Sequence, residues 1–144
     1  MNLDEAAEIM KTLIFYSKPY LCPAGVPTIG YGFTHYIDGT PVTLLDPPMS
    51  RADGERLLHH MVWTSYLPQA LALCPGADTP GRGGALGDFN FNLGARNLKN
   101  STLRRRVNAG EWDLVPGELR KWVRASGRVL RGLVLRREAE IGYL

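Results

Sequence analysis

Long apolar runs are missing from this chain, and nothing in it approaches the ~18 to 20 residues that a membrane span requires. Cysteine is scarce as well. Cys22 and Cys74 are too few for a disulfide framework, and no Cys/His cluster has metal-ligand spacing, so neither a metal nor a cofactor is expected. Spacing alone does not decide whether the two thiols pair. Charge of one sign is not in great excess: 17 Lys and Arg against 14 Asp and Glu leave a formal +3. That surplus suits an anionic polymer as partner but is far too small to point to nucleic acid. Asp4, Glu5 and Glu8 interrupt the first eleven residues, so they read as neither a secretory signal nor an anchor, and synthesis is expected to end in the cytoplasm.

What the chain has is ordinary for a globular protein. Its 144 residues are 44% hydrophobic and 22% charged, which excludes disordered, collagen-like and coiled-coil classes. A single domain spanning 1–144 is expected, large enough to bury roughly two thirds of its unfolded surface.

The first segment reads as a helix. Asn2 and Glu5 form a capping pair, and Leu3, Ala6, Ala7, Met10, Leu13 and Ile14 repeat at helical spacing. The pattern fails at Ser17-Lys18-Pro19, because proline disfavours helical geometry in the residue before it. From about 20 to 45 the texture changes to short strand-forming runs broken by glycine and proline. Val26, Thr28, Ile29, Tyr31 and Phe33 predict a small, strongly bent antiparallel sheet of two or three strands, and Asp38-Gly39 predicts a hairpin turn.

After Pro48 the chain reads as helical. Ser50 with Asp53 starts one helix, expected to end near Leu67 before Pro68. A second covers about Thr79 to Leu93 although it contains four glycines, each costing about 1 kcal/mol against alanine, so its packing must be close. Ser101 caps a short helix through Val107, and further turns fall at Leu119–Val123 and Leu133–Leu144. Arg104-Arg105-Arg106 reads as a solvated helix face. The class is α+β, with a sheet lobe between an N-terminal helix and a helical lobe, and a ligand cleft expected between the lobes.

The stretch Cys22 to Gly32 is the most informative. From the residues alone it is a rigid hairpin carrying one placed hydroxyl, Thr28, which could equally be an ordinary strand residue. This segment closely resembles the active-site hairpin of the phage-type lysozymes, glycoside hydrolase family 24. The resemblance continues through Asp88-Phe89-Asn90-Phe91-Asn92-Leu93-Gly94, Ser101-Thr102-Leu103, and Gly132-Leu133 followed by Arg136-Arg137-Glu138. It implies a lysozyme-like fold and a muramidase that cleaves the glycan of bacterial peptidoglycan, of phage or prophage origin. It also implies a catalytic group made of a glutamate ending the first helix, an aspartate or cysteine nine positions on, and a threonine six further. The glutamate would be the general acid and the other two would guide water.

Carried over, Cys22 and Thr28 match the second and third positions, whereas the first falls on Leu13, with Leu13-Ile14-Phe15 where the family has Glu-Gly and an apolar residue. Leu13 extends the apolar stripe of Leu3 and Met10 and reads as core. Glu8 lies five residues upstream, more than a ~5.4 Å turn away and rotated off the direction needed, and Glu5 is farther still. His35 and Asp38 lie just beyond the hairpin, with His35 read as a loop residue. The resemblance implies substrate contacts at Tyr31, Asn92 and Arg136, with Arg136 in the cleft lacking its carboxylate partner.

The expected function is a lysozyme homologue directed at peptidoglycan glycan strands, with hydrolysis weak or lost. Its alternative is a catalytically dead module serving as a structural, virion-associated or partner-binding protein. The expected place of action is the cell wall after release, or the virion.

Overall fold

The computed structural model describes residues 15–125 and 127–144. The expected first helix, with Glu5, Glu8 and Leu13, lies outside the described residues. The described chain clusters into two compact units, residues 15–61 and residues 62–144.

In the first unit, β1 (Tyr16–Leu21) pairs antiparallel with β2 (Pro27–Gly30), matching Tyr20 with Thr28 and Leu21 with Pro27. Strand structure therefore begins several residues before the expected start near Tyr20. The register is irregular between Tyr16 and Tyr20, where Pro19 has no N–H to give a ladder. Tyr31 was expected on a strand, but it occupies a turn. Gly30 and Gly32 have φ of 66° and 96°, and Ile29 and Phe33 exchange two backbone hydrogen bonds of 2.9 Å around them. The expected turn at Asp38-Gly39 is present, with Gly39 donating to the Tyr36 carbonyl at 2.9 Å. The helix α1 (Arg51–Met61) follows, its start capped by Ser50 Oγ, which accepts from the Asp53 N–H at 3.1 Å. Ile29, Tyr31, Phe33, Val42, Leu57 and Leu58 are the buried apolar residues of this unit.

The second unit is helical. A π-helical turn, Val62–Tyr66, leads into α2 (Leu67–Leu73), so helical structure runs past Pro68 instead of ending before it. The proline sits in the first turn of α2, where its missing N–H is tolerated. The wider π turn relieves the clash a proline makes with the carbonyl four residues back. The long α3 (Pro80–Leu93) is capped by Thr79, whose hydroxyl accepts from the Arg82 N–H at 3.2 Å, and α4 (Ala95–Lys99) follows directly. Ser101 caps α5 (Thr102–Asn108) in the same way at 3.0 Å.

Helical structure expected at Leu119–Val123 lies earlier, as α6 (Val115–Leu119), because Pro116 favours a helix start there. A hairpin of β3 (Arg124–Ala125) and β4 (Arg128–Val129) follows, and α7 (Arg131–Ile141) closes the chain. Ala70, Ala85, Leu86, Phe89, Leu98, Leu103, Val107 and Leu119 form the core around α3.

Two of the four glycines of α3 answer to close packing. A Cβ on Gly81 would overlap the carbonyl oxygen of Tyr143, and one on Gly87 would stand 3.3 Å from a Leu67 methyl. Gly132 occupies the matching second position of α7 and faces open space. Gly81→Ala should therefore destabilise the protein by about 1–3 kcal/mol in urea unfolding. Gly132→Ala should be neutral or stabilising by up to about 1 kcal/mol. Equal effects of the two would refute the close-packing account.

Candidate functional site

The hairpin builds its site from a tight loop. After β1, the Cys22 N–H donates to the Val26 carbonyl at 3.0 Å and Gly25 donates back to the Cys22 carbonyl at 2.8 Å. With Gly25 at φ 76°, the chain reverses within five residues and returns Thr28 beside Cys22. The Cys22 thiol is held below its ordinary value, chiefly by the backbone N–H of Val26 and then of Ala24. Partial desolvation opposes them, and the Thr28 hydroxyl adds to the lowering. The sequence gives no hint of a depressed thiol, since the donors are backbone groups aimed by the loop.

Thr28 is only 3% exposed, and its hydroxyl donates to the Val26 carbonyl at 2.9 Å. One hydroxyl proton thus serves two competing acceptors, that carbonyl and the thiolate. The pair can accept a hydrogen bond and orient water. Among the described residues no carboxyl hydrogen-bonds to either.

Among the described residues the neighbouring groups do not supply an acid. Asp38 accepts from the Thr40 hydroxyl at 2.7 Å and its N–H at 3.0 Å, which hold its carboxyl below the usual range and keep it ionised. His35 Nδ1 shares a 3.0 Å hydrogen bond with the Thr34 hydroxyl. Tyr31 is 3% exposed, its ring 5.1 Å from that of Phe15 and 6.4 Å from that of Phe33. The ring is packed in the core of its unit and does not form an open sugar platform.

In the helical unit, Arg136 corrects an expectation. It is not left without a carboxylate: Nε donates to Asp88 Oδ2 at 3.0 Å and Nη2 to Oδ1 at 2.6 Å, both residues buried. Arg137 is also fully buried and donates through Nη2 to Asn92 Oδ1 at 2.8 Å and to Glu140 Oε1 at 2.7 Å. Asn92 and Arg136 therefore belong to one network linking α3 to α7.

Glu140 is the member that the sequence reading missed. The expected motif ended on Glu138, which forms a surface pair with Arg120 at 2.7 Å. The i, i+3 spacing of Arg137 and Glu140 was the available signal. Glu140 Oε2 meets no N–H or O–H donor, while its carboxyl lies within hydrogen-bonding reach of Asp88. Asp88 already accepts both forks of Arg136. Burial, and then the Asp88 carboxylate, raise the pKa of Glu140 well above the ordinary range.

Other charges and thiols are tied locally. Arg104, Arg105 and Arg106 turn to three different partners: the Leu73 carbonyl, the Thr102 hydroxyl and Glu111. Cys22 and Cys74 are both free thiols, and Cys74 is fully buried with its pKa pushed up to about 11. Among the described residues no group of His, Cys, Asp and Glu could hold a metal ion, and no helix is long and apolar enough to cross a membrane.

The fold is shared with known phage enzymes. The endolysin from Escherichia coli O157:H7 phage FAHEc1 superposes with a TM-score of 0.75 at 24% identity, over 99% of this chain and 92% of that one. The chain belongs to the phage lysozyme family, whose sequence profile matches residues 14–140. The endolysin of Bacillus phage B103 is 36% identical over 141 residues, covering 97% of this chain and 50% of that protein. The SAR-endolysin of Escherichia phage P1 is 30% identical over 134 residues, covering 85% and 69%. The matched part is about a third to a half of the length of several curated relatives.

Two measurements check these environments. In alkylation followed against pH, Cys22 should react with a midpoint below the ordinary 9.0, Thr28→Ala should move that midpoint upward, and Cys74 should stay unmodified until unfolding. A midpoint unmoved by Thr28→Ala would remove the hydroxyl from the account.

For Glu140 the folded pKa is raised, so the stability it contributes is complete below its unfolded value of 4.5 and is lost as pH rises through the folded value. Glu140→Gln keeps an acceptor for Arg137 and gives Asp88 an N–H. Its thermal midpoint relative to wild type should therefore climb as pH rises above the unfolded value of 4.5. Parallel curves would mean that Glu140 ionises normally.

Proposed function

We propose that this chain recognises the glycan of bacterial peptidoglycan and hydrolyses it weakly or not at all. Leu13 carries this reading, an apolar side chain at the position where the family pattern places its general acid. Cleaving a glycosidic bond needs a proton on the leaving oxygen and a guided water or nucleophile on the opposite face. Cys22 and Thr28 suit the second task, because a thiol held below its ordinary value beside a hydroxyl can accept from and orient a water. They do not suit the first.

Asp38 is ionised, and Glu140, whose pKa is raised, is fully buried and tied to Arg137. A missing general acid typically removes 10²–10⁴-fold of rate. The natural place of action is the cell wall, reached from the cytoplasm after release or carried in the virion.

A second reading, a lysozyme-fold module with a structural, virion-associated or partner-binding role, is favoured by Ile14, which also departs from the family's Glu-Gly pair. The turbidity of purified peptidoglycan separates the two. The chain should sediment with the wall yet clear it at least about 10²-fold more slowly than an active family member. Leu13→Glu combined with Ile14→Gly should raise clearing. Rapid clearing by the wild type would sink the proposal, and absence of wall binding would favour the second reading.

A further inference from the structure

The two parts of the sequence differ in charge. Residues 62–144 hold thirteen Lys and Arg against seven Asp and Glu, whereas residues 1–61 hold four against seven. In the helical unit six of the seven acids are already paired: Asp78, Asp88, Glu111, Glu118, Glu138 and Glu140. The surplus cations are therefore free to set a local field.

Four of them gather at one place. Two adjoining hollows of about 510 and 390 Å³ run along α2, α4 and the start of α5, sharing Lys99 and Asn100. Arg96 and Lys99 border the first hollow, and Lys99, Arg104 and Arg105 the second, with no carboxylate among the described residues that line either. Arg104 is held in position, donating through Nε to the Leu73 carbonyl at 2.7 Å and through Nη1 to the Lys99 carbonyl at 3.3 Å. Arg105 is braced on the Thr102 hydroxyl at 3.1 Å. Fixed guanidinium forks match carboxylates and lose little freedom on binding them.

We propose that this trough binds the peptide stems of peptidoglycan through their free carboxylates. The inference rests on the proposed wall target and adds a second contact, made by the helical unit. Three features select that occupant. The trough carries positive charge without acid, which complements a chain of carboxylates. It also carries amides. Gln69 uses its oxygen to accept from Asn90 at 3.0 Å and keeps its N–H groups, and Asn100 borders both hollows. A peptide offers donors and acceptors to such groups, whereas a phosphodiester chain offers acceptors alone. The large apolar side chains exposed on this unit, Trp63, Leu114, Val129, Leu130 and Leu135, do not line the trough. An anionic lipid surface would therefore find charge there but little to insert.

The test is co-sedimentation of the full chain with purified sacculi stripped of accessory polymers. Three exposed cations, Arg96, Lys99 and Arg105, are replaced together by glutamine. The control carries Arg124→Gln, Arg128→Gln and Arg131→Gln, which remove the same charge from exposed positions of the β3–β4 hairpin and the start of α7. Circular dichroism confirms that both variants fold.

The trough variant should bind intact sacculi about tenfold more weakly at low salt, with a shallower salt dependence, while the control stays near wild type. Sacculi whose stems have been removed by an amidase should bind wild type and trough variant alike. Equal weakening by the two variants would overturn the proposal in favour of bulk charge. So would unchanged binding by the trough variant, or trough-dependent binding to polyphosphate or anionic phospholipid vesicles that matches binding to sacculi. Trough-dependent binding that persists on the amidase-treated glycan would refute this inference alone. Failure of the wild type to bind either glycan or sacculi would refute the wall target with it.

Discussion

The buried ionic cross-link between α3 and α7 is the constraint around which the helical unit is organised. Arg136 donates two hydrogen bonds to Asp88, the two side chains 5% and 0% exposed, and the fully buried Arg137 reaches from its pair with Glu140 in α7 to Asn92 on α3. Charges that deep lose their hydration, and removing one partner strands the other at a cost of about 3–5 kcal/mol. Burial and the neighbouring Asp88 carboxyl raise the pKa of Glu140, which eases the repulsion two carboxylates so close would feel without water between them. Such a network contributes little net stability over an apolar core, but it accepts one register. Sliding α7 by one turn along α3 would break both bonds of Arg136 to Asp88 and that of Arg137 to Asn92, so the last helix is fixed by polar pairing as well as by packing.

The hairpin solves a different problem with backbone. Cys22 and Thr28 are brought together by a five-residue loop with one left-handed glycine, and the thiol is tuned by peptide N–H groups rather than by a neighbouring base. Such a site needs almost nothing from the rest of the sequence beyond a few turn residues. It also explains why the reactive pair can persist beside a changed position 13. The loop geometry that places Cys22 and Thr28 depends on Gly25 and on hydrogen bonds internal to residues 22–28.

Local chemistry was legible in the sequence, and long-range pairing was not. Ser50, Thr79 and Ser101 announced three helix starts because a cap is a contact over three residues. The glycine-rich α3 was readable with a condition attached, and the condition is met by Gly81 lying against the chain end. The helix passing Pro68 was not readable, since a π turn is a compromise between the proline and the surrounding packing. The hairpin at Arg124–Val129 escaped notice because it is only two residues wide on each side. The hairpin motif pointed to Cys22 and Thr28, which the loop brings together, whereas Arg136, expected as an unpaired cleft residue, is paired with a carboxylate. Its partner Asp88 lies 48 positions away, and no periodicity connects them.

These separations bear on how hydrolysis could fade while the fold endures. A general acid in a glycan cleft is a burden on folding, since it must sit where it keeps a proton and where little else satisfies it. A leucine at that place in a sequence that already carries an apolar stripe makes no such demand. The interactions that fix register, the α3–α7 ion network and the closed loop at 22–28, involve none of the atoms that would donate the proton. The proposed loss of hydrolysis therefore asks no change of the Asp88–Arg136 pair or of the loop at 22–28.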